Sequence, residues 1–165
     1  MNALSGNLAQ NPRGSLAPVL TGGLLAGAID LTYACTYHGF VSHVPPARIF
    51  QAIGSGLLGK ASFEMGATSA TIGFIAHFVI LIIAAGIFNF ARRRFTYLRE
   101  HAYLSGMIFG VGIWLTMNYI VLPLSAAPQF KSTLQGALSD FAVHVLLLGP
   151  AISLVAKHFD RTATR

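Results

Sequence analysis

The chain has 165 residues, of which 54% are hydrophobic and only 10% charged, and its mean hydropathy is positive. That balance lies outside the soluble globular range and inside the membrane class, at a length that suits one domain. A net charge of +6 invites a nucleic-acid reading, but such a partner needs a basic face on a soluble fold, and here the bases collect at the ends of apolar stretches. No short segments alternate with period two, which excludes a closed β-barrel.

Residues 1–18 are small and polar, with Pro12, Gly14 and Pro18, and lack the basic-then-apolar order of a cleavable signal. They are expected to form a disordered cytoplasmic tail. Four apolar stretches follow, at 19–38, 70–90, 103–122 and 141–157. A helix of about 20 residues rises about 30 Å, the thickness of the hydrocarbon core, so each stretch is a candidate span. The first carries Gly23 and Gly27, whose spacing lets another helix backbone approach closely and turns Asp30 toward the protein interior. Its Cys35, the single cysteine, reads as a small packing residue.

The connection over residues 39–69 opens with Pro45 and Pro46. Beyond them Ile49, Phe50, Ile53, Leu57 and Ala61 recur at helical spacing, with Arg48, Gln51, Ser55 and Ser62 on the opposite face. The pattern predicts an amphipathic helix over about 47–62, lying in the membrane interface on the outer side. Gly54, Gly56 and Gly59 act against that helix. The second stretch carries His77 and ends in Arg92, Arg93, Arg94 and Arg99, expected to set topology and meet anionic lipid headgroups. The third repeats the small-residue ladder as Gly106 and Gly110 and carries Asn118. The fourth carries His144 and the pair Gly149–Pro150, which predicts a kink, and a basic tail over 158–165 follows.

Eight of the eleven Lys and Arg (Arg13, Arg92, Arg93, Arg94, Arg99, Lys157, Arg161, Arg165) fall on one side of this arrangement, against Arg48, Lys60 and Lys131 on the other. The positive-inside rule then places both termini in the cytoplasm of a cell whose inner membrane holds the protein. A weak internal repeat aligns Phe74, His77, Leu81 and Ala84 with Phe141, His144, Leu148 and Ala151, as in membrane proteins built from parallel repeats.

Asp30, His77, Asn118 and His144 all fall in the outer half of their spans, with Tyr33 and Tyr37 close by in sequence. An ionisable group in hydrocarbon costs several kcal/mol and is a functional-site hypothesis by default. Three readings are open. The polar groups hydrogen-bond across helices and serve a structural or scaffolding role; Asp30 and His77 carry protons or a small solute across the membrane, with Asn118 as a ligand contact; or His77 and His144 bind haem. Glu64 and Asp140 are expected to be solvated at span edges. No nucleophile elbow, zinc-protease helix, phosphate loop or pair of carboxylates at one depth is present, so no enzymatic role is expected.

The GFIAHF segment around His77, the run NYIVLPLSAAP from Asn118 to Pro128, and His144 with its apolar sequel resemble the YagU-like small bacterial inner-membrane proteins. The resemblance covers roughly residues 20–156. The chain departs from that group in its shorter length and in its PPARIFQ segment. What the resemblance implies is a multi-pass inner-membrane protein with no assigned reaction. The expectation is therefore an all-α, integral membrane four-helix bundle with an added interfacial helix and no cofactor or metal. Its partners are membrane lipids and a second copy joined through the glycine faces.

Overall fold

A computed structural model describes residues 16–128 and 133–163. The expected tail over 1–15, with Arg13, and the bases Lys131 and Arg165 lie outside the described residues. Those described are helical, with no strand. Four helices are long and apolar enough to cross a membrane: α1 (Ala17–Ser42), α3 (Ala67–Arg94), α5 (Ala102–Leu124) and α6 (Leu134–Asp160). Between the first two lies α2 (Pro46–Leu58), and α4 (Thr96–Glu100) fills the basic connection. Each span outruns the apolar stretch that predicts it. The fourth begins seven residues earlier, because 134–140 continues the helix, with Thr133 capping its first turn by accepting from Gly136 N.

Lipid is as apolar as leucine, so helices in a membrane associate by close packing rather than by hiding large side chains. The exposed faces accordingly carry Ile75, Val79, Ile83 and Ile87 on α3, one helical turn apart. The interior mixes small and polar residues with a few large apolar ones. A cluster of Ala26, Leu81, Ala85, Phe88, Ile113, Leu148, Ile152 and Ala156 takes residues from all four spans.

Glycines bring the backbones together. A Cβ at Gly23 would stand 2.6 Å from Ile82 Cα, and one at Gly106 would stand 2.7 Å from Pro150 Cα. Gly110 lies directly against the His144 carbonyl, and Gly27 against the Phe78 ring. Thus Gly23 and Gly27 seat α1 on α3, while Gly106 and Gly110 seat α5 on α6. These stripes are seams within one chain, which removes them as the free faces expected to join two copies.

Segment α2 departs from the expectation in orientation. Its first residues are helical from Pro46, a residue tolerated at a helix start, and a single 3-10 stretch (Gly59–Phe63) replaces the predicted last turn. Gln51, Ser55 and Ser62, expected on the water-facing side, are buried, while Leu57 is exposed. The cause is again close approach, with Gly54 packed on the Ser69 carbonyl and Gly73 on that of Phe50. Only a stripe of small residues admits that contact. The buried polar groups are satisfied locally: Ser62 Oγ donates to Gln51 O at 2.6 Å, Gln51 Nε2 to Gly66 O at 3.0 Å, and Ser69 Oγ to Ser62 O at 2.5 Å.

Two π-helical turns interrupt the second pair of spans, Met117–Val121 in α5 and His144–Leu148 in α6. Each ends two residues before a proline, Pro123 and Pro150. Proline supplies no N–H and its ring crowds the carbonyl one turn back, so the helix widens there. The predicted kink at Gly149–Pro150 takes this form.

At the basic end Arg92 is buried, not lipid-facing as expected. Its guanidinium donates to Ala156 O at 3.0 Å and forms a two-pronged ion pair with the Asp160 carboxylate, tying α3 to α6. Arg99 Nε approaches the same carboxylate at 3.9 Å. Arg93 and Arg94 are exposed, the latter over the Phe90 ring. A guanidinium enclosed at a helix crossing cannot reach a headgroup, so Arg92 does not take the role expected of it.

Candidate functional site

The glycine seams decide which polar groups meet. With Gly27 close on α3, the buried His77 ring donates from Nε2 to Gly27 O at 3.0 Å. This bond uses a backbone carbonyl of α1 and leaves His77 Nε2 3.8 Å from Asp30 Oδ2, an ion-pair distance too long for a hydrogen bond. From the other side α6 brings Asp140 and His144. A carboxylate oxygen of Asp30, one of Asp140 and a ring nitrogen of His144 all lie within 4.8 Å of one another.

Within α6 the pair is local. His144 Nδ1 donates to Asp140 O at 2.9 Å and stands 3.4 Å from Asp140 Oδ1, as residues four apart on one helix face do. The tautomer follows, since Nδ1 carries the proton and Nε2 the lone pair in the neutral ring. Asp140 Oδ2 accepts from Trp114 Nε1 at 2.9 Å, which ties the cluster to α5. Tyr33 and Ser139 share a hydrogen bond of 2.6 Å between α1 and α6.

Of the residues named from sequence, Asp30, His77 and His144 converge and Tyr33 stands at the edge. Tyr37 reaches the site only by stacking on Tyr33, with ring centroids 5.6 Å apart. Asn118 is turned away, its Nδ2 donating to Trp114 O on its own helix at 2.9 Å. A four-residue step back to an available carbonyl satisfies the amide without a neighbour. Asp140 overturns the expectation of a solvated edge residue and of no paired carboxylates, because α6 starts early enough to carry it into the cluster. The signal for it was present as an Asp four residues before a His, and Trp114, the single tryptophan, had none.

A haem between His77 and His144 does not suit this arrangement. The Asp30 carboxylate stands against both rings, in the space a porphyrin would need. Two apolar grooves flank the C-terminal half of α1. One, of about 610 Å³, runs between α1 and α6 past Ile29, Tyr33, Tyr37, Val143 and Leu147. The other, of about 410 Å³, lies beside Leu31, Cys35, Phe50 and Phe78. Two carboxylates and two imidazoles at one point among spanning helices can hold a cation or exchange protons with one another. No family model, curated protein or solved structure matches the chain.

Proposed function

We propose that this multi-pass membrane protein binds a proton or another small cation at the Asp30 cluster and passes it across the bilayer. The observation that carries this reading is the meeting of Asp30 and Asp140 within 4.8 Å, beside His77 and His144. A structural lock needs one donor for each acceptor, whereas a second carboxylate in hydrocarbon adds cost that packing does not require. The groove between α1 and α6 supplies an approach from the outer side.

The four spans are taken as a bundle in a bacterial cytoplasmic membrane, with both termini and the exposed Arg93, Arg94 and Arg99 on the cytoplasmic side. Segment α2 is taken to lie in the outer interface, its exposed Leu57 toward lipid. On the motifs around His77 and Asn118 the chain is grouped with the YagU-like proteins, a grouping that assigns no reaction.

A second reading has its own support. The Tyr33–Ser139 and Trp114–Asp140 hydrogen bonds join α1, α5 and α6 as a purely structural clamp would. Flux in proteoliposomes separates the two. With a pH-sensitive dye and separate cation gradients, the wild type is expected to leak above protein-free vesicles and Asp30→Asn to fall to their level, with helicity and gel-filtration profile unchanged. Equal flux for both proteins leaves the clamp as the function.

A further inference from the structure

We infer that the cation held by this cluster is a divalent first-row transition metal ion, with Asp30, Asp140 and His144 as its ligands. The inference rests on reading the cluster as a cation site and adds the chemical class. Two carboxylate oxygens and an imidazole nitrogen already lie within 4.8 Å of one another. Around a tetrahedral ion with bonds of about 2.0–2.2 Å, donor atoms stand about 3.3–3.6 Å apart. Closure of at most about 1.5 Å completes the set, and the Asp140 side chain, 37% exposed, has room to supply it.

Charge gives an independent argument. Asp30 and Asp140 bring two carboxyl groups together among apolar helices, and the buried arginine of the described residues, Arg92, is engaged by Asp160 instead. A doubly charged ion balances two carboxylate ligands.

Orientation gives a third. Trp114 holds Asp140 Oδ2, while Oδ1 faces the cluster 3.4 Å from His144 Nδ1. The Asp140 carbonyl holds His144 Nδ1–H and leaves the Nε2 lone pair. His77, fixed on Gly27 O, stands behind Asp30. Metal-ligating histidines and carboxylates are held by outer partners of this kind. One imidazole with two carboxylates is too hard a set for Cu(I) and too small for Ca²⁺, which takes 6–8 oxygens; it suits Zn²⁺, Mn²⁺ or Fe²⁺.

The test uses the full-length, tag-free protein in detergent, stripped with chelator and titrated with Co²⁺, whose visible absorption reports its coordination. One Co²⁺ per chain with intensified d–d bands, displaced by Zn²⁺, is the expected result. Asp30→Asn and Asp140→Asn are each expected to weaken binding by at least about tenfold, and Trp114→Phe by about tenfold through the loss of the hydrogen bond to Asp140 Oδ2. Absence of the bands in the wild type overturns the inference without recourse to any variant. So does binding that survives both aspartate substitutions, which assigns the ion to surface histidines such as His38 and His43. Co²⁺ binding without cation flux retires transport and keeps the metal site, whereas flux without Co²⁺ binding retires the metal site and keeps transport.

Discussion

In the hairpin of α1 and α3, the glycine-bearing helix carries the carboxylate, Asp30, and its partner carries the imidazole, His77. In the hairpin of α5 and α6, the glycine-bearing helix places Ile113 in the core at the position that Asp30 takes when the two helices are registered on their glycines. Acid and base there share one helix, as Asp140 and His144. His77 and His144 are both buried and both approach Asp30, and Leu81 and Leu148 one turn further on enter the same core cluster. The two hairpins thus share a packing plan and differ in where the negative charge sits. The local pair is fixed by helix geometry alone, while Asp30 and His77 meet only if α1 docks on α3. Packing and charge placement are therefore separable in this molecule.

The largest expected effect probes the seams. Gly110→Ala drives a Cβ into the His144 carbonyl, which belongs to a helix backbone and cannot step aside, and should cost about 2–3 kcal/mol. Gly27→Ala meets the Phe78 ring, a side chain rather than a helix backbone, and should cost less, about 1 kcal/mol. Unfolding in mixed micelles measures both, and equal losses would break the distinction between a backbone seam and a side-chain seam.

The ion pair joining the hairpins comes next. Arg92→Ala removes the donor to the Ala156 carbonyl and the two-pronged pair with Asp160 and should lower stability by about 1–3 kcal/mol, the value of hydrogen bonds to a charged group. Arg93→Ala, at an exposed position one residue on, should stay within about 0.5 kcal/mol. A shift in thermal midpoint for Arg93→Ala as large as that for Arg92→Ala would show that the basic end acts through lipid rather than through the α3–α6 tie.

The smallest effect sharpens the boundary of the site. Asn118→Ala removes a bond within α5 and should cost about 0.6 kcal/mol, the mean for such bonds in a membrane. Neither cation flux nor Co²⁺ binding should change. A tenfold loss in either quantity would draw Asn118 back into the cluster.

Much of this was legible without coordinates. Length and apolarity are one-dimensional properties, so the spans announced themselves, and so did the glycine ladders and the histidines at matching places in α3 and α6. The helix bounds, the orientation of α2 and the burial of Arg92 were not legible. Each follows from which neighbour a face meets. Arg92 differs from Arg93 and Arg94 only by an angle about the helix axis, and that angle has meaning only once Asp160 is beside it. Asp140 was misjudged for the same reason: a charge at the very edge of the apolar stretch 141–157 looks solvated, yet the helix begins at Leu134 and carries it inward.

The amino-acid sequence by itself determined that this is a membrane protein of four apolar helices with ionisable groups inside them, because hydropathy and helical rise need no partner to be read. Only the tertiary structure decided that Asp30, Asp140 and His144 meet, with His77 beside Asp30, while Asn118 stays apart. That outcome depends on how closely glycine lets two backbones approach and on the rotation of each helix about its axis, and neither quantity is written in any single segment.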